Sequence, residues 1–226
     1  MDKLHENRLV FILMWLCIIV FVSGCWDSRN IEDISLEVAS GLDKADEQTS
    51  EETDDPQGKP LVTLTLQSAV LQQSSGGSDV GNEQKKAYKN VVVTGKTFLE
   101  AFRKISLQEP RPPFGQHTKI IIGEEIARDM NLENVLNLYL RTFEIRRSST
   151  VLIAKGKARQ VLETPGNNDI PGYRLLGIYQ NQSKTNEMLP IITLGQMANK
   201  MAADASFVLQ TVEAQQGKAN LMAVLS

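Results

Sequence analysis

The sequence predicts an α/β (α+β) fold, a mixed β-sheet with helices packed on it. Three features carry that prediction. Ile34–Leu42 and Leu61–Val70 alternate apolar and polar residues, as half-buried strands do. Beyond residue 90, short apolar runs and amphipathic stretches take turns, the order expected when helices cover a sheet. Thr118–Ile122 is an unbroken apolar run bounded by polar residues, which suits a central strand buried on both faces.

The chain opens on a different kind of segment. Lys3 and Arg8 precede an uncharged apolar run, Leu9–Val22, and the small residues Ser23 and Gly24 lead into Cys25. A positive start, a short apolar middle and a small-residue site make the layout of an export signal. At 1.5 Å per helical residue, Leu9–Val22 is too short to cross a bilayer core of ~30 Å. Val22-Ser23-Gly24-Cys25 fits a bacterial lipobox. Cleavage between Gly24 and Cys25 would leave Cys25 as the new N-terminus, carrying a diacylglycerol thioether. Two acyl chains hold a protein on a membrane where one lets go. Trp26, next to that lipid, fits either the membrane interface or the cover of the first strand.

The remaining elements follow in order. The acidic stretch Asp43–Pro60 contains Asp43, Asp46, Glu47, Glu51, Glu52, Asp54 and Asp55 but has no calcium-loop spacing, so it reads as a solvated connection. As a hairpin connection it makes Leu61–Val70 antiparallel to the first strand. Gln72–Lys89 is a Ser/Gly/Gln/Lys-rich loop without a phosphate-binding pattern, and Val91–Thr94 is a short strand. Thr97 and Glu100 stand in capping-box spacing, followed by Phe98, Ala101, Phe102 and Ile105 on one helical face. Pro110, Pro112 and Pro113 stop that helix. Gly123–Arg128 reads as a turn or short helix, and Asn131–Arg141 as a helix through Leu132, Val135, Leu136, Tyr139 and Leu140. Thr150–Ala154 is a strand and Lys157–Glu163 a short helix. Between the helix 131–141 and that strand, Arg141, Glu144 and Arg146 have the chemistry of an arginine–carboxylate network, either fixing a turn or meeting a partner.

Composition narrows the function. The 226 residues carry a net charge of −3, which gives no reason to expect nucleic acid as a partner. Cys17 would leave with the signal, so Cys25 has no partner for an internal disulfide. His117 is the only histidine after residue 5, which leaves a zinc site or a histidine-based catalytic group short of candidates. At the edge of a strand it reads as a hydrogen-bonded structural residue. Neither a Gly-x-Ser-x-Gly elbow nor a Ser-x-x-Lys motif occurs. No enzyme, cofactor or metal is expected.

Four segments in order resemble the C-subunit lipoproteins of bacterial spore germinant receptors, the Ger(x)C family. They are Gly-Cys-Trp-Asp-Ser-Arg-Asn-Ile-Glu-Asp (24–33), Thr-Gly-Lys-Thr-Phe-Leu-Glu-Ala-Phe-Arg-Lys-Ile-Ser (94–106), Lys-Ile-Ile-Ile-Gly-Glu-Glu-Ile-Ala-Arg (119–128), and Leu-Arg-Thr-Phe-Glu-Ile-Arg-Arg (140–147) with Val-Leu-Ile-Ala-Lys-Gly-Lys-Ala (151–158). The resemblance implies an α/β lipoprotein on the outer face of the spore inner membrane, beside two integral membrane subunits of the A and B types. Membrane lipid on Cys25 and those subunits are the expected partners. A solute-binding lipoprotein of a transport system is the alternative, and it would need two lobes with a cleft between them.

Members of that family continue into a C-terminal domain. Residues 25–175 are therefore expected to form the N-terminal domain of a multi-domain lipoprotein. Residues 176–226 are expected to hold a linker helix, with a stripe of Leu194, Met197, Ala198 and Met201, and the start of a second domain. Phe207–Val212 reads as a strand there, and Leu221–Ser226 is apolar to its end. On this reading the chain is truncated.

Overall fold

The computed structural model describes residues 7, 8, 11, 13–15, 35–46, 61–70, 87–111, 113–114, 119–141, 145–164, 169–184 and 188–214. The few described residues before 16 are helical and exposed. Among the described residues, no helix is long and apolar enough to cross a membrane.

From residue 35 the order is β1 (Ser35–Lys44), β2 (Val62–Ala69), β3 (Tyr88–Gly95), α1 (Phe98–Gln108), β4 (Pro113–Phe114), β5 (Lys119–Gly123), α2 (Glu124–Asp129), α3 (Leu132–Arg141), β6 (Thr150–Lys155), α4 (Ala158–Glu163), α5 (Pro171–Gln180), α6 (Leu194–Ala202) and β7 (Thr211–Glu213). The strands make one mixed sheet in the order β3-β2-β1-β5-β6-β7, with two-residue β4 beside the start of β1. β1, β2 and β3 pair antiparallel, whereas β1, β5, β6 and β7 run parallel. The acidic connection therefore joins antiparallel neighbours, as its place between two alternating strands predicts. β5 lies inside the sheet with all five residues buried, the apolar Ile120–Ile122 as expected and Lys119 with them.

Two cores flank the sheet. On one face Leu64, Val93, Phe98, Ile120, Leu136 and Met197 join α1, α2, α3 and α6 to the strands. On the other, Ile121, Leu152, Val161, Leu162, Leu175 and Tyr179 join α4 and α5. A β-bulge sets the first strand between them. The β1–β2 register shifts between Glu37 and Ala39, so Val38 and Ala39 both meet α5 at Gly172. Ser40 faces the opposite core, where the Tyr139 hydroxyl donates to its Oγ at 2.7 Å.

α1 begins at Thr97, whose hydroxyl accepts from the Glu100 N–H at 3.1 Å. The reciprocal arm departs from the expected box: Glu100 accepts from the Lys96 N–H, one residue upstream. The full box occurs instead at α6, between Thr193 and Gln196. α5 has no counterpart in the sequence expectations. Its apolar residues fall on both sides, with Leu175 buried and Leu176 exposed, which blurs the helical period.

Residues 194–202 and 211–213, expected to open a second domain, sit on this same sheet. Leu194 and Met197 enter the first core, and β7 pairs in parallel with β6. The strand expected over Phe207–Val212 is shorter and later. Phe207 and Leu209 pack sideways on the first core, and pairing starts where the Gln210 carbonyl accepts from the Ile153 N–H.

Candidate functional site

The carboxyl ends of β1, β5 and β6 surround a cleft of about 350 Å³ lined by Asp43, Lys44, Gly123, Glu124, Arg128 and Lys157, among others. Parallel sheets commonly take ligands at this end. Here the carboxylates already have partners. Asp43, only 4% exposed, accepts from the N–H groups of Ala158 (2.7 Å) and Arg159 (2.8 Å). It thereby caps α4, whose own N-cap residue, Lys157, supplies no side-chain bond. Burial pushes the Asp43 carboxyl above its ordinary value, against the lowering effect of those two N–H groups and of Lys157 and Arg159.

Glu124 accepts from Arg128 at 2.8 Å and from the Gly156 N–H at 3.2 Å, and both hold its carboxyl below the ordinary range. Gly156 adopts φ +79°, a left-handed turn that favours glycine. Lys44 meets Glu125 at 2.6 Å, and Lys157 meets Asp46. No group of three metal-ligating side chains occurs among the described residues. This end is a joint between strands and helices.

A second polar joint lies under α4 and α5. Gln67, fully buried on β2, donates to the Leu162 carbonyl at 2.9 Å and to Asn90 Oδ1 at 3.0 Å. Its Oε1 accepts from the Gly172 N–H at 2.8 Å. One side chain thus holds the last turn of α4 and the first turn of α5.

The opposite, amino end of the parallel strands is chemically different. A shallower cleft of about 280 Å³ is lined by Ser35, Val70, Lys89, Glu109, Pro110 and Arg111, with Ser68 and Ala69. Lys89 and Glu109 pair at 2.6 Å. Arg111 lies in the connection that returns from α1 to the start of β5, and Arg141, Arg146 and Arg147 in the one that returns from α3 to the start of β6. All four are exposed, and among the described residues none meets a carboxylate. Leu107, in the last turn of α1, is 88% exposed, and Val70 is 48% exposed. Just inside, Lys119 is buried, with the Thr150 hydroxyl at 3.3 Å, and burial lowers its pKa. Tyr139 is raised by burial and by the nearby Glu37 carboxylate.

Of the residues singled out in the sequence, Arg141 and Arg146 reach this amino end. Glu144, Gly24, Cys25 and His117 lie outside the described residues, so the arginine–carboxylate network is represented only by its arginines. Arg111, Arg147 and Leu107 were not foreseen. They come from two separate connections, and no spacing in the sequence brings those together. Asp43 had a legible signal, since a helix that starts after Lys157 lacks a capping residue of its own and requires one from elsewhere.

Comparison with known proteins places this architecture. Residues 27–214 match the family described as "Spore germination protein N-terminal domain". Spore germination protein YndF of Bacillus subtilis (strain 168) is 34% identical across 96% of this chain and 56% of its own. Spore germination protein B3 of the same organism is 33% identical across 92% of this chain and 51% of its own. The crystal structure of the GerBC protein aligns over 83% of this chain and 52% of its own, at 26% identity and a TM-score of 0.35. The chain thus spans about half the length of the relatives it matches. On the match over residues 27–214 and the identity to these relatives, the chain belongs to the spore germination protein family defined by that N-terminal domain.

Proposed function

We propose that the chain is a membrane-held, extracytoplasmic subunit of a spore nutrient-germinant receptor, of the C-subunit type. It would be anchored by a diacylglycerol thioether on Cys25 to the outer face of the spore inner membrane. It would act through contacts with integral membrane subunits of the A and B types, and not by catalysis. The observation that carries this reading is the lipobox Val22-Ser23-Gly24-Cys25 directly ahead of a family domain that starts at residue 27. The relatives' names, among them spore germination proteins A3, B3 and KC, support a place in a receptor of that kind. A solute-binding role is not favoured, because the described residues from 35 to 214 share one sheet and do not form two lobes.

The test is expression in a spore-forming Gram-positive host with a clickable fatty acid, beside Cys25→Ala. Lipid label and membrane retention on the wild type alone, with slower nutrient germination in the Cys25→Ala spores, are expected. Equal labelling and fractionation of the two chains would remove the anchor. Normal germination by an unanchored chain would remove the receptor role.

A further inference from the structure

We propose that the amino end of the sheet is a membrane-contact surface that lies against anionic phospholipid headgroups and orients the domain on the bilayer. This rests on the lipid attachment at Cys25 in the reading above.

Three observations converge. The first is position. β1 begins at Ser35 at this end, and the chain from Cys25 to Ser35 reaches at most roughly 35 Å when fully extended. An anchor on Cys25 therefore keeps this end of the sheet close to the bilayer.

The second is charge. Arg111, Arg141, Arg146 and Arg147 are exposed and meet no carboxylate among the described residues. The opposite end receives the connection that leaves β1 and enters β2. That connection carries Asp46, Glu47, Glu51, Glu52, Asp54 and Asp55. The chain has a net charge of −3, yet these four arginines, without a carboxylate among the described residues, gather at the end where the tether enters. An anionic surface attracts such arginines and repels the acidic end, and the effect falls off within a Debye length. Arginine also matches the geometry of phosphate oxygens.

The third is apolar exposure. Leu107 and Val70 stand out at the same end. A lipid headgroup region accepts both a cation and a short apolar side chain. An acidic protein surface is the other possible occupant. It would account for the arginines but not for their coincidence with the tether.

The experiment uses the full chain in a Cys17→Ala background, reconstituted in phosphatidylcholine vesicles with or without phosphatidylglycerol. Added cysteines, Leu107→Cys at the basic end and Glu125→Cys at the acidic end, carry an environment-sensitive fluorophore. Lipids with a bromine or doxyl quencher report depth. Mass spectrometry of Cys25 in the same preparation reads the anchor separately. The parent without an added cysteine reports any label on Cys25 itself.

The expected result is quenching of the Leu107→Cys label at least about twofold stronger than that of the Glu125→Cys label, only in anionic vesicles, and weakened by salt. Arg146→Gln with Arg147→Gln should reduce that quenching, and Arg→Glu at all four positions should abolish it. In both cases the protein should stay on the vesicles with an unchanged circular dichroism spectrum. Equal quenching of the two labels, or quenching indifferent to lipid charge and to the paired Arg→Gln change, overturns the surface even when Cys25 is lipidated. A Leu107→Cys label that stays in water on anionic vesicles overturns it too, and leaves the arginines to an acidic protein partner. Absence of lipid on Cys25 overturns the anchor alone, because quenching is still read from chain held by its uncleaved apolar segment.

Discussion

Asp43 and Ala158, 115 positions apart in the chain, are joined at 2.7 Å by a hydrogen bond from the Ala158 N–H to the Asp43 carboxylate. The end of the first strand is thereby the N-cap of a helix that forms more than half a chain later. A free helix N-terminus leaves up to four N–H groups unbonded. Asp43 binds two of them, and Gly123 leaves the room that its carboxylate occupies.

Replacing Asp43 with alanine should lower the unfolding free energy by about 1–3 kcal/mol in urea denaturation, because two buried N–H groups lose their acceptor. Asp43→Asn should cost less, since one amide oxygen still accepts. The carboxyl and the amide also differ with pH, since only the carboxyl titrates. Burial raises the folded pKa of Asp43, so the native state binds the proton more tightly than the unfolded chain does. That contribution is full below the ordinary value of 3.8 and is lost as pH rises through the folded one. The advantage of the wild type over Asp43→Asn should therefore shrink as pH rises through that range.

Gln67→Leu should cost roughly 3 kcal/mol despite its similar volume. The Gly172 N–H would be left buried beside an apolar side chain, and the Leu162 carbonyl would keep only the longer bond from Asn90 Nδ2 at 3.2 Å. Gln67→Glu would keep the acceptor for Gly172 but turn a carboxylate toward the Leu162 carbonyl. It should also destabilise, and thermal unfolding of the three chains side by side checks both.

Two glycines of α5 should respond in opposite directions to alanine. A Cβ at Gly172 would stand 2.7 Å from Val38 Cγ1 and 2.9 Å from Ala39 Cβ, the two residues that the bulge turns to one face. The clash should cost about 1–3 kcal/mol. A Cβ at Gly177 meets nothing within 4 Å, so Gly177→Ala should gain up to ~1 kcal/mol from helix propensity. Melting temperatures of the two variants should lie on either side of the wild type.

Lys119→Met should leave stability at pH 7 unchanged or raise it by about 1 kcal/mol, because it removes a buried ammonium whose partner among the described residues is a hydroxyl at 3.3 Å. Burial lowers the folded pKa of Lys119 from 10.5. Between that lowered value and 10.5 the unfolded chain binds more protons, so wild-type stability should rise with pH in this window. The methionine variant should lack that rise. An equal slope in both chains would assign it to another group.

Much of the architecture was legible because it depends on local period. The alternation in 61–70, the apolar run at 118–122 and the stripes at 98–105 and 132–140 each specify which face is buried, and the sheet uses those faces. Legibility ended where periodicity was interrupted. The bulge places the adjacent Val38 and Ala39 on one face, which strict alternation forbids. α5 has apolar side chains on two sides, and its N-terminus depends on Gln67 from another strand.

The sequence by itself determined the strand and helix order over residues 61–163, the buried position of β5, and the motif at Cys25 with its family resemblance. These depend on residues within a few positions of one another, where side-chain period and spacing act directly. Only the tertiary structure decided that β1 and β5 lie side by side in parallel, that Asp43 caps α4, that residues 194–213 share the sheet, and that Arg111 joins Arg141, Arg146 and Arg147 at one end. Those relationships join positions dozens of residues apart. They are set by which apolar faces must be buried together and which backbone groups then need a partner, and no local pattern encodes either.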